Sequence, residues 1–289
     1  MLGAAHIADK ALLPALRAAR SAETLAIASR DPARARAMAE KHGVPRVHDS
    51  YDSLLADAEI DAVYIPLTND QHLPWTLRAL AAGKHVLCEK PLAMSSAEAE
   101  QMAAAAIAAG RLLMEAFMYR FNPRQRELVA SMAGRNVRHV AASFGFRLRD
   151  PDNYRARPDL GGGALMDVGC YCIDVSRWLL GEPIGARAYM RSEAVDMTVT
   201  GVLRFDSGAT ASIWASFESP ERQSLEVVTD DQVIRVERPF SSMEPEDPYR
   251  VMVEEFSAAA LGGGPSPLPL EWSIANMRAI ELVRGSATG

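Results

Sequence analysis

A lysine and a tyrosine in this sequence stand where proton transfer could be carried out. Lys90 lies in the tripeptide Glu89-Lys90-Pro91, at the end of an apolar stretch that is typical of a buried strand. Tyr171 follows a run of three glycines, and Asp167 precedes it by four residues. Residues four apart share one face of a helix, so Asp167 and Tyr171 are expected side by side. All three side chains can exchange protons with a reacting group.

A glycine turn near the start of the sequence has the form of a nucleotide-binding motif. It matches the pattern G-x-G-x-x-G/A, with alanine at the second and third glycine positions. In such a turn, backbone N–H groups at a helix N-terminus hold a pyrophosphate. The short pattern is weak evidence by itself, and its weight comes from the alternating strands and helices that follow. The motif comprises Gly3, Ala4, Ala5, His6 and Ile7, followed by Ala8.

The end of the next predicted strand, Thr24–Ser29, indicates which dinucleotide is bound. NAD-binding domains place a carboxylate there for the ribose hydroxyls, whereas this sequence has Ser29 followed by Arg30. A hydroxyl and a guanidinium can bind the 2′-phosphate that a carboxylate would repel. The sequence therefore favours NADP over NAD. The alternative, that Arg30 is an ordinary surface charge, stays open.

Alternating strand and helix patterns before residue 118 predict an α/β Rossmann domain with a parallel sheet. Gly83 and Gly110 stand where a left-handed residue ends a helix. A strand is also needed before Gly3, but only Met1 and Leu2 precede it. This first strand is therefore expected to be truncated, either because its residues lie upstream or because the domain lacks them. The other predicted strands and helices are Thr24–Ser29, Pro32–His42, Ala62–Pro66, Leu73–Ala82, His85–Glu89, Ala97–Ala109 and Arg111–Glu115.

The later part of the chain has consecutive strands without helices between them, which predicts an α+β domain with a large open, mostly antiparallel sheet. We therefore divide the chain into a dinucleotide-binding domain, 1–118, and a substrate-binding and oligomerisation domain, 119–289. With few helices to cover the sheet, one face is expected to be exposed and apolar, as in a homodimer or dimer of dimers. The predicted elements are a helix from Pro123, Val137–Phe146, a helix Ala164–Leu180, Ala186–Ala194, Val199–Phe205, Thr210–Phe217, Leu225–Thr229, Val233–Arg238 and a helix Glu271–Arg284.

Composition excludes several other functions. The net charge is −6 and basic residues are scattered, so neither nucleic acid nor a membrane surface is expected as a partner. The cysteines Cys88, Cys170 and Cys172 form no CxxC pair and are predicted to be buried thiols of a reducing, cytoplasmic compartment. No group of His, Cys and carboxylate residues has metal-ligand spacing, so no metal is predicted.

Taken together, these motifs resemble the glucose-fructose oxidoreductase and inositol dehydrogenase family (Gfo/Idh/MocA). The similarity extends over nearly the whole chain. With a tyrosine at position 171, the chain resembles the branch of NADP-dependent D-xylose dehydrogenase and dimeric dihydrodiol dehydrogenase. The inositol dehydrogenase branch has a histidine at this position. The motifs that carry the resemblance are the Gly3 turn, Ser29-Arg30-Asp31, Thr68-Asn69 with His72, Glu89-Lys90-Pro91, the segment 115–123 and the segment 161–171.

The resemblance implies an NADP-dependent oxidoreductase that moves a hydride between nicotinamide and a carbinol of a sugar or a trans-dihydrodiol. Lys90 and Tyr171 would flank the carbinol. A free tyrosine, with a pKa near 10, is a poor base, but a nearby ammonium and the nicotinamide charge favour its phenolate. Asp167 would orient one of the pair or a substrate hydroxyl. The roles of Lys90 and Tyr171 could be exchanged.

Further cofactor contacts are implied by the same resemblance. Asn69 and His72 follow the predicted strand Ala62–Pro66, where the family contacts the nicotinamide half of the dinucleotide. Packing of His72 on the turn is the alternative for that residue. The full set of expected cofactor-binding residues is Gly3, Ala4, Ala5, His6, Ile7, Ser29, Arg30, Leu67, Thr68, Asn69, His72, Glu89, Lys90 and Arg120.

Two other classes of function stay open at this stage. A redox-neutral glycosidase would borrow a hydride and return it, so that no net NADPH forms. A cofactor-binding regulator without catalysis would need no proton-transfer pair, which the joint presence of Lys90, Asp167 and Tyr171 disfavours. Pentose, hexose, deoxysugar and dihydrodiol substrates share a carbinol next to a hydroxyl, and loops such as Asp150–Leu160 would select among them.

Overall fold

The computed structural model describes residues 1–288, which form two compact units. The first unit contains Met1–Ala93, Ala97–Asn122 and Pro245–Ser273. The second contains Met94–Ser96, Pro123–Glu244 and the residues from Ile274 onward. A late stretch of the chain therefore returns to the first unit. The proposed domain limits 1–118 and 119–289 stay a prediction.

The first unit is built on short parallel strands, as predicted. One pair joins β1 to β2, and a second set joins β3, β4 and β5 in that order. Four of the five residues of β4 are buried, as is typical of a parallel strand covered on both faces. The strands are β1 (Ala26–Ala28), β2 (Arg46–His48), β3 (Ala62–Ile65), β4 (His85–Glu89) and β5 (Leu113–Ala116).

The first three residues of the chain connect these two sets of strands. Gly3 N–H donates to the Ala28 carbonyl at 2.7 Å, and Leu2 N–H donates to the Tyr64 carbonyl at 3.0 Å. Leu2 is fully buried and forms a parallel bridge with Ala28. Met1–Gly3 therefore fill the position of the first strand, between β1 and β3.

Helices follow the strands of the first unit and begin and end at residues that favour such boundaries. The Asp31 carboxylate accepts hydrogen bonds from Ala33 N–H and Arg34 N–H, at 3.0 and 3.2 Å, and so caps α2. Gly43, with φ of 69°, ends that helix. Gly83 and Gly110 also adopt positive φ, as predicted. The helices up to this point are α1 (Leu13–Ala18), α2 (Pro32–His42), α3 (Tyr51–Leu55), α4 (His72–Ala81) and α5 (Ser96–Ala109).

The second unit contains a seven-stranded sheet within residues 1–288, in the order β11-β10-β6-β9-β8-β7-β12. Four of its neighbouring pairs are antiparallel, and β6–β9 and β7–β12 are parallel, so the sheet is mixed. The elements are α6 (Pro123–Ser131), β6 (Val137–Arg147), α7 (Cys170–Leu180), β7 (Pro183–Ser192), β8 (Asp196–Phe205), β9 (Thr210–Ser216), β10 (Glu218–Thr229), β11 (Val233–Glu237), α8 (Pro248–Gly262), α9 (Leu270–Ser286) and β12 (Ala287–Thr288).

One face of this sheet is buried and the other is open. Leu203, Ile213 and Leu225 are almost fully buried on the inner face. On the outer face, Tyr189 is 72% exposed and Val202 is 47% exposed. Serine and threonine side chains share that face, and Thr198 and Ser216 are joined by a hydrogen bond. Arg187 lies opposite Val202 and Trp214 lies opposite Thr200 on the same face. The open face was predicted correctly, but the expectation that it would be apolar is only partly met.

All three cysteines are free and buried, as predicted. Within residues 1–288, no helix is both long and apolar enough to span a membrane.

A fully buried arginine joins α7 to the last helix within the second unit. Arg177 donates two hydrogen bonds to the Glu182 carboxylate, at 2.8 and 2.6 Å, and one to Asn276 at 3.3 Å. Its guanidinium also lies 3.6 Å from the carboxylate of Asp174, which is equally buried. Removing one partner from a buried ionic cluster leaves the opposite charge uncompensated.

We therefore expect Arg177→Met to lower the free energy of unfolding by about 3–5 kcal/mol, the usual cost of breaking a buried ion pair. Chemical denaturation, followed by far-ultraviolet circular dichroism, measures this loss. Arg187→Met, at an exposed strand position, is the matched control and should change stability little. Equal stabilities of the two variants would contradict a structural role for Arg177.

Candidate functional site

The Gly3 turn is shaped by a conformation that only glycine adopts easily. Gly3 has a φ of 108°, and a Cβ there would lie 2.8 Å from the Leu67 side chain. A helix begins at His6, directly after the turn. The N–H groups of a helix's first turn have no partners within the helix, so they are available to an anion. The predicted residues Gly3 to Ile7 and Leu67 thus lie together around this helix start.

Two arginines and a tyrosine lie close to this turn. Arg34 donates from Nη2 to the Ala4 carbonyl at 2.8 Å, which fixes the turn from α2. The Tyr51 hydroxyl accepts a hydrogen bond from the Arg30 backbone, and the charges of Arg30 and Arg34 both act on it. Burial raises the pKa of Tyr51, so its hydroxyl stays neutral. Arg30 itself is exposed, and the neighbouring Ser29 hydroxyl accepts from Asp31 N–H at 3.2 Å.

Lys90 follows the last residue of β4 and is half-buried. The buried Glu89 carboxylate accepts a hydrogen bond from the Tyr64 hydroxyl at 2.5 Å and one from the Lys90 backbone N–H at 3.2 Å. Tyr249, which α8 brings back to the first unit, interacts electrostatically with both Glu89 and Lys90. Burial raises the pKa of Tyr64 and that of Tyr249, so both phenols remain protonated near neutral pH. Glu89 therefore anchors the backbone that carries Lys90.

His72 is fully buried at the start of α4. Its ring lies between two carbonyl oxygens, with Nδ1 2.9 Å from Pro91 and Nε2 3.1 Å from Leu67. Burial lowers the pKa of His72. The ring thus ties the segment after Lys90 to the segment that holds Leu67 and the buried Asn69. A direct contact of His72 or Asn69 with the cofactor stays a prediction, as it does for the half-buried Thr68.

The predicted residue Arg120 is held by an aromatic side chain. Its guanidinium lies 4.3 Å from the centre of the Trp272 ring, within the first unit. A cation over the face of an aromatic ring is stabilised by the ring's negative charge density. Arg120 is half-buried there, and its contact with the cofactor also stays a prediction.

In the second unit, the triple-glycine run leads into the helix that carries Tyr171. This helix was predicted as one α-helix from Ala164, but its first turn, Leu165–Gly169, is a π-helix. The wider turn changes the direction of the side chains that follow it. Asp167 forms an ion pair with Arg155, and Asp174 lies against Arg177, so the two carboxylates have different partners.

Tyr171 is 8% exposed and lies against two aromatic rings. The centre of its ring is 5.4 Å from that of Phe144 on β6 and 5.4 Å from that of Phe240. The Phe144 and Phe240 rings stack on each other at 5.6 Å. These rings fix the tyrosine and limit water around it, which strengthens electrostatic effects on its phenol.

Sequence reasoning missed several of the residues described above, in both units. Arg34 is four residues after Arg30 and follows a capping aspartate, so helical spacing could have identified it. Tyr51 and Tyr249 in the first unit and Phe240 in the second carry no such signal, because only the tertiary fold of each unit brings them to these positions. Arg155 lies in the loop that was expected to select the substrate, but its pairing with Asp167 was not foreseen.

Comparison with known protein families identifies the class of this chain. A model of the oxidoreductase family Gfo/Idh/MocA, with an NAD-binding Rossmann fold, matches residues 1–117. A model of the Gfo/Idh/MocA C-terminal domain matches residues 124–235. The chain therefore belongs to the Gfo/Idh/MocA oxidoreductases. The resemblance seen in the sequence and the predicted fold class are both confirmed.

Individual relatives are similar over almost the full length. D-xylose 1-dehydrogenase (NADP(+)) 2 of Haloferax volcanii is 42% identical over an alignment of 314 positions, which covers 99% of this chain and 96% of that protein. The structure of an aldose-aldose oxidoreductase from Caulobacter crescentus, complexed with glycerol, has a TM-score of 0.92 at 26% identity, with 99% and 95% of the two chains covered. A 3-ketoreductase from Actinomadura kijaniata, in complex with NADP and TDP-benzene, has a TM-score of 0.85 at 31% identity, covering 99% and 96%.

Proposed function

We propose that this chain is an NADP-dependent oxidoreductase that transfers a hydride between nicotinamide and a carbinol of a sugar or a vicinal diol. The observation that carries the proposal is a nucleotide-binding turn at Gly3 and a strand-end lysine, Lys90, within the same unit. Relatives named D-xylose 1-dehydrogenase and aldose-aldose oxidoreductase support a sugar as substrate.

The first unit fits NADP by its own geometry. Gly3 adopts a φ of 108° with no room for a side chain beside Leu67, as the first glycine of a tight dinucleotide-binding turn requires. Arg34 lies at the turn, and its charge and that of Arg30 both act on the Tyr51 hydroxyl. Two positive charges are therefore available near the proposed 2′-phosphate site. When bound, the cofactor supplies the acceptor or donor of the hydride.

The protein's own residues would handle the proton. In the oxidation direction, Tyr171 accepts the proton of the substrate hydroxyl, and Lys90 hydrogen-bonds the same oxygen and favours the phenolate by its charge. The aromatic rings of Phe144 and Phe240 keep the phenol in place. Asp167 would orient a substrate hydroxyl or one member of the pair. The exchange of roles between Lys90 and Tyr171 remains part of the proposal.

We also infer the roles of the two domains, the assembly of the protein and its cellular location. Residues 1–118 would bind the dinucleotide, and residues 119–289 would bind substrate and form a homodimer or dimer of dimers. The open sheet face, with its exposed Tyr189 and Val202, supports such an assembly. The proposed cytoplasmic location is supported by three buried, free cysteines.

Replacement of Arg30 tests the cofactor. Arg30→Asp should shift the ratio of kcat/KM for NADP over NAD toward NAD by about 10- to 100-fold, because a hydrogen bond to a charged group contributes about 1.5–3 kcal/mol. Steady-state rates with each dinucleotide give this ratio. Arg36→Asp is the control for a general change of charge, because Arg36 lies on α2 and is exposed like Arg30. If both variants keep the original ratio, Arg30 does not contact the 2′-phosphate.

Removal of the two proton-transfer groups tests the chemistry. Tyr171→Phe and Lys90→Ala should each lower kcat by about 10²- to 10⁴-fold, since the proton moves only during the chemical step. The affinity for NADPH should change little, because the dinucleotide is held mainly by the Gly3 turn and the arginines. Tyr189→Phe, at an exposed position, should keep its turnover. A Tyr171→Phe variant that retains most of its kcat from pH 6 to 10 would make this tyrosine structural.

A further inference from the structure

The triple-glycine run holds a neighbouring loop in place through its backbone. Gly163 N–H donates to the Arg155 carbonyl and Gly162 N–H to the Arg157 carbonyl, both at 2.9 Å. A Cβ at Gly162 would lie 2.4 Å from the Arg155 carbonyl oxygen, closer than any side chain allows. Glycine at 162 is therefore required by the close approach of this loop. The turn that begins the Tyr171 helix fixes the backbone position of Arg155.

The side chain of Arg155 is fixed as well. Its Nε donates to the Asp167 carboxylate at 2.7 Å, and that carboxylate is 7% exposed while the arginine side chain is 30% exposed. The guanidinium also lies 4.8 Å from the centre of the Tyr154 ring and 5.9 Å from that of Phe146. Backbone, carboxylate and rings together leave the guanidinium little freedom.

Asp167 precedes Tyr171 by four residues on one continuous helix, and the Arg155 guanidinium that pairs with Asp167 interacts electrostatically with Tyr171. Burial opposes the charged guanidinium, but Asp167, with Tyr154 and Tyr171, outweighs burial and raises the pKa of Arg155. The electrostatic interaction between two groups is mutual, so a cation that is stabilised by a phenolate stabilises that phenolate equally.

The other titratable groups named around this helix have hydrogen-bond or ion-pair partners of their own. Asp196 on β8 accepts a hydrogen bond from Leu165 N–H at 2.6 Å, and burial raises its pKa. The Cys172 thiol donates to the Trp214 carbonyl on β9, and burial raises its pKa to about 12. Asp174 lies against Arg177. From β6, the uncharged ring of Phe144 faces Tyr171.

We propose that Arg155 is a positioning residue for the proton transfer: it fixes the Asp167 carboxylate and places a positive charge that stabilises the Tyr171 phenolate. The inference rests on the proposed function of Tyr171 and deepens it. It gives the triple-glycine run a role, which is to hold Arg155 at the start of the helix that carries Tyr171. It also gives the second unit a cation of its own for the tyrosine, in addition to the expected contribution of Lys90.

The pH dependence of turnover separates this role from a structural one. A base is active when deprotonated, so turnover in the oxidation direction rises as pH passes the pKa of the tyrosine. Loss of a nearby positive charge moves that rise to higher pH, by about one unit for a partly buried guanidinium. Arg155→Met should therefore lose about tenfold in kcat near pH 7 and recover most of it at high pH. Arg155→Lys, which keeps the charge, should stay closer to the wild type.

Arg157→Met is the matched control. Arg157 lies in the same loop, but it is paired with Asp159 at the surface, where both side chains are more than half exposed. Its removal should leave the pH profile unchanged. An Arg155→Met profile that keeps its midpoint and falls by the same factor at every pH would overturn the inference, because that pattern reports lost structure alone.

A second measurement does not depend on turnover. Phenolate formation at Tyr171 is followed by near-ultraviolet absorption as the difference between each full-length protein and its Tyr171→Phe counterpart. The midpoint should rise by about one pH unit in the Arg155→Met background. An unchanged midpoint in an otherwise active enzyme would overturn the inference while leaving the proposed function intact. A shifted midpoint without any turnover in the wild type would support the electrostatic pairing and contradict the proposed function.

Discussion

The backbone hydrogen bonds of Met1–Gly3 are the interaction on which the nucleotide-binding unit depends. They join β1 on one side to β3 on the other, and Leu2 is buried between them. The same residues set the position of the Gly3 turn at the carboxyl ends of the strands, which is where parallel sheets bind ligands. Since the φ of Gly3 is 108°, a side chain there would strain the turn as well as collide with Leu67. Sheet continuity and the position of the proposed cofactor-binding turn thus depend on one short segment.

Both units use glycine where a backbone must come close to something else. At Gly3 the approach is toward the Leu67 side chain, and at Gly162 it is toward the carbonyl of Arg155. In each unit, a buried carboxylate fixes a group that has a role in the proposed proton transfer: Glu89 holds the Lys90 backbone, and Asp167 holds the positioning residue Arg155. The proposed acid/base chemistry therefore rests on groups that buried carboxylates hold in place.

Some elements could be predicted from the sequence because their signals are local. The α2 helix, Pro32–His42, has an aspartate cap, a proline at its start and a glycine after its end, and β4 is an apolar stretch that ends in Glu89. The strand β2 and the helix α3 were missed because three and five residues are too short for a periodic pattern. The α8 helix was missed although Asp247 and Pro248 mark its start. The ion pair between Arg155 and Asp167 depends on the π-helical turn and the glycine run, which spacing rules for regular helices do not describe.

The most direct test of the account is the transfer of deuterium from substrate to cofactor. D-Xylose, other aldoses and trans-dihydrodiols that carry deuterium on the reacting carbinol carbon are incubated with the protein and NADP, and the nicotinamide is examined by NMR. The account predicts net NADPH formation with deuterium on the nicotinamide ring for at least one of these substrates. Cofactor binding without any reduction across the whole panel, or cleavage of a glycoside without net NADPH formation, would contradict it.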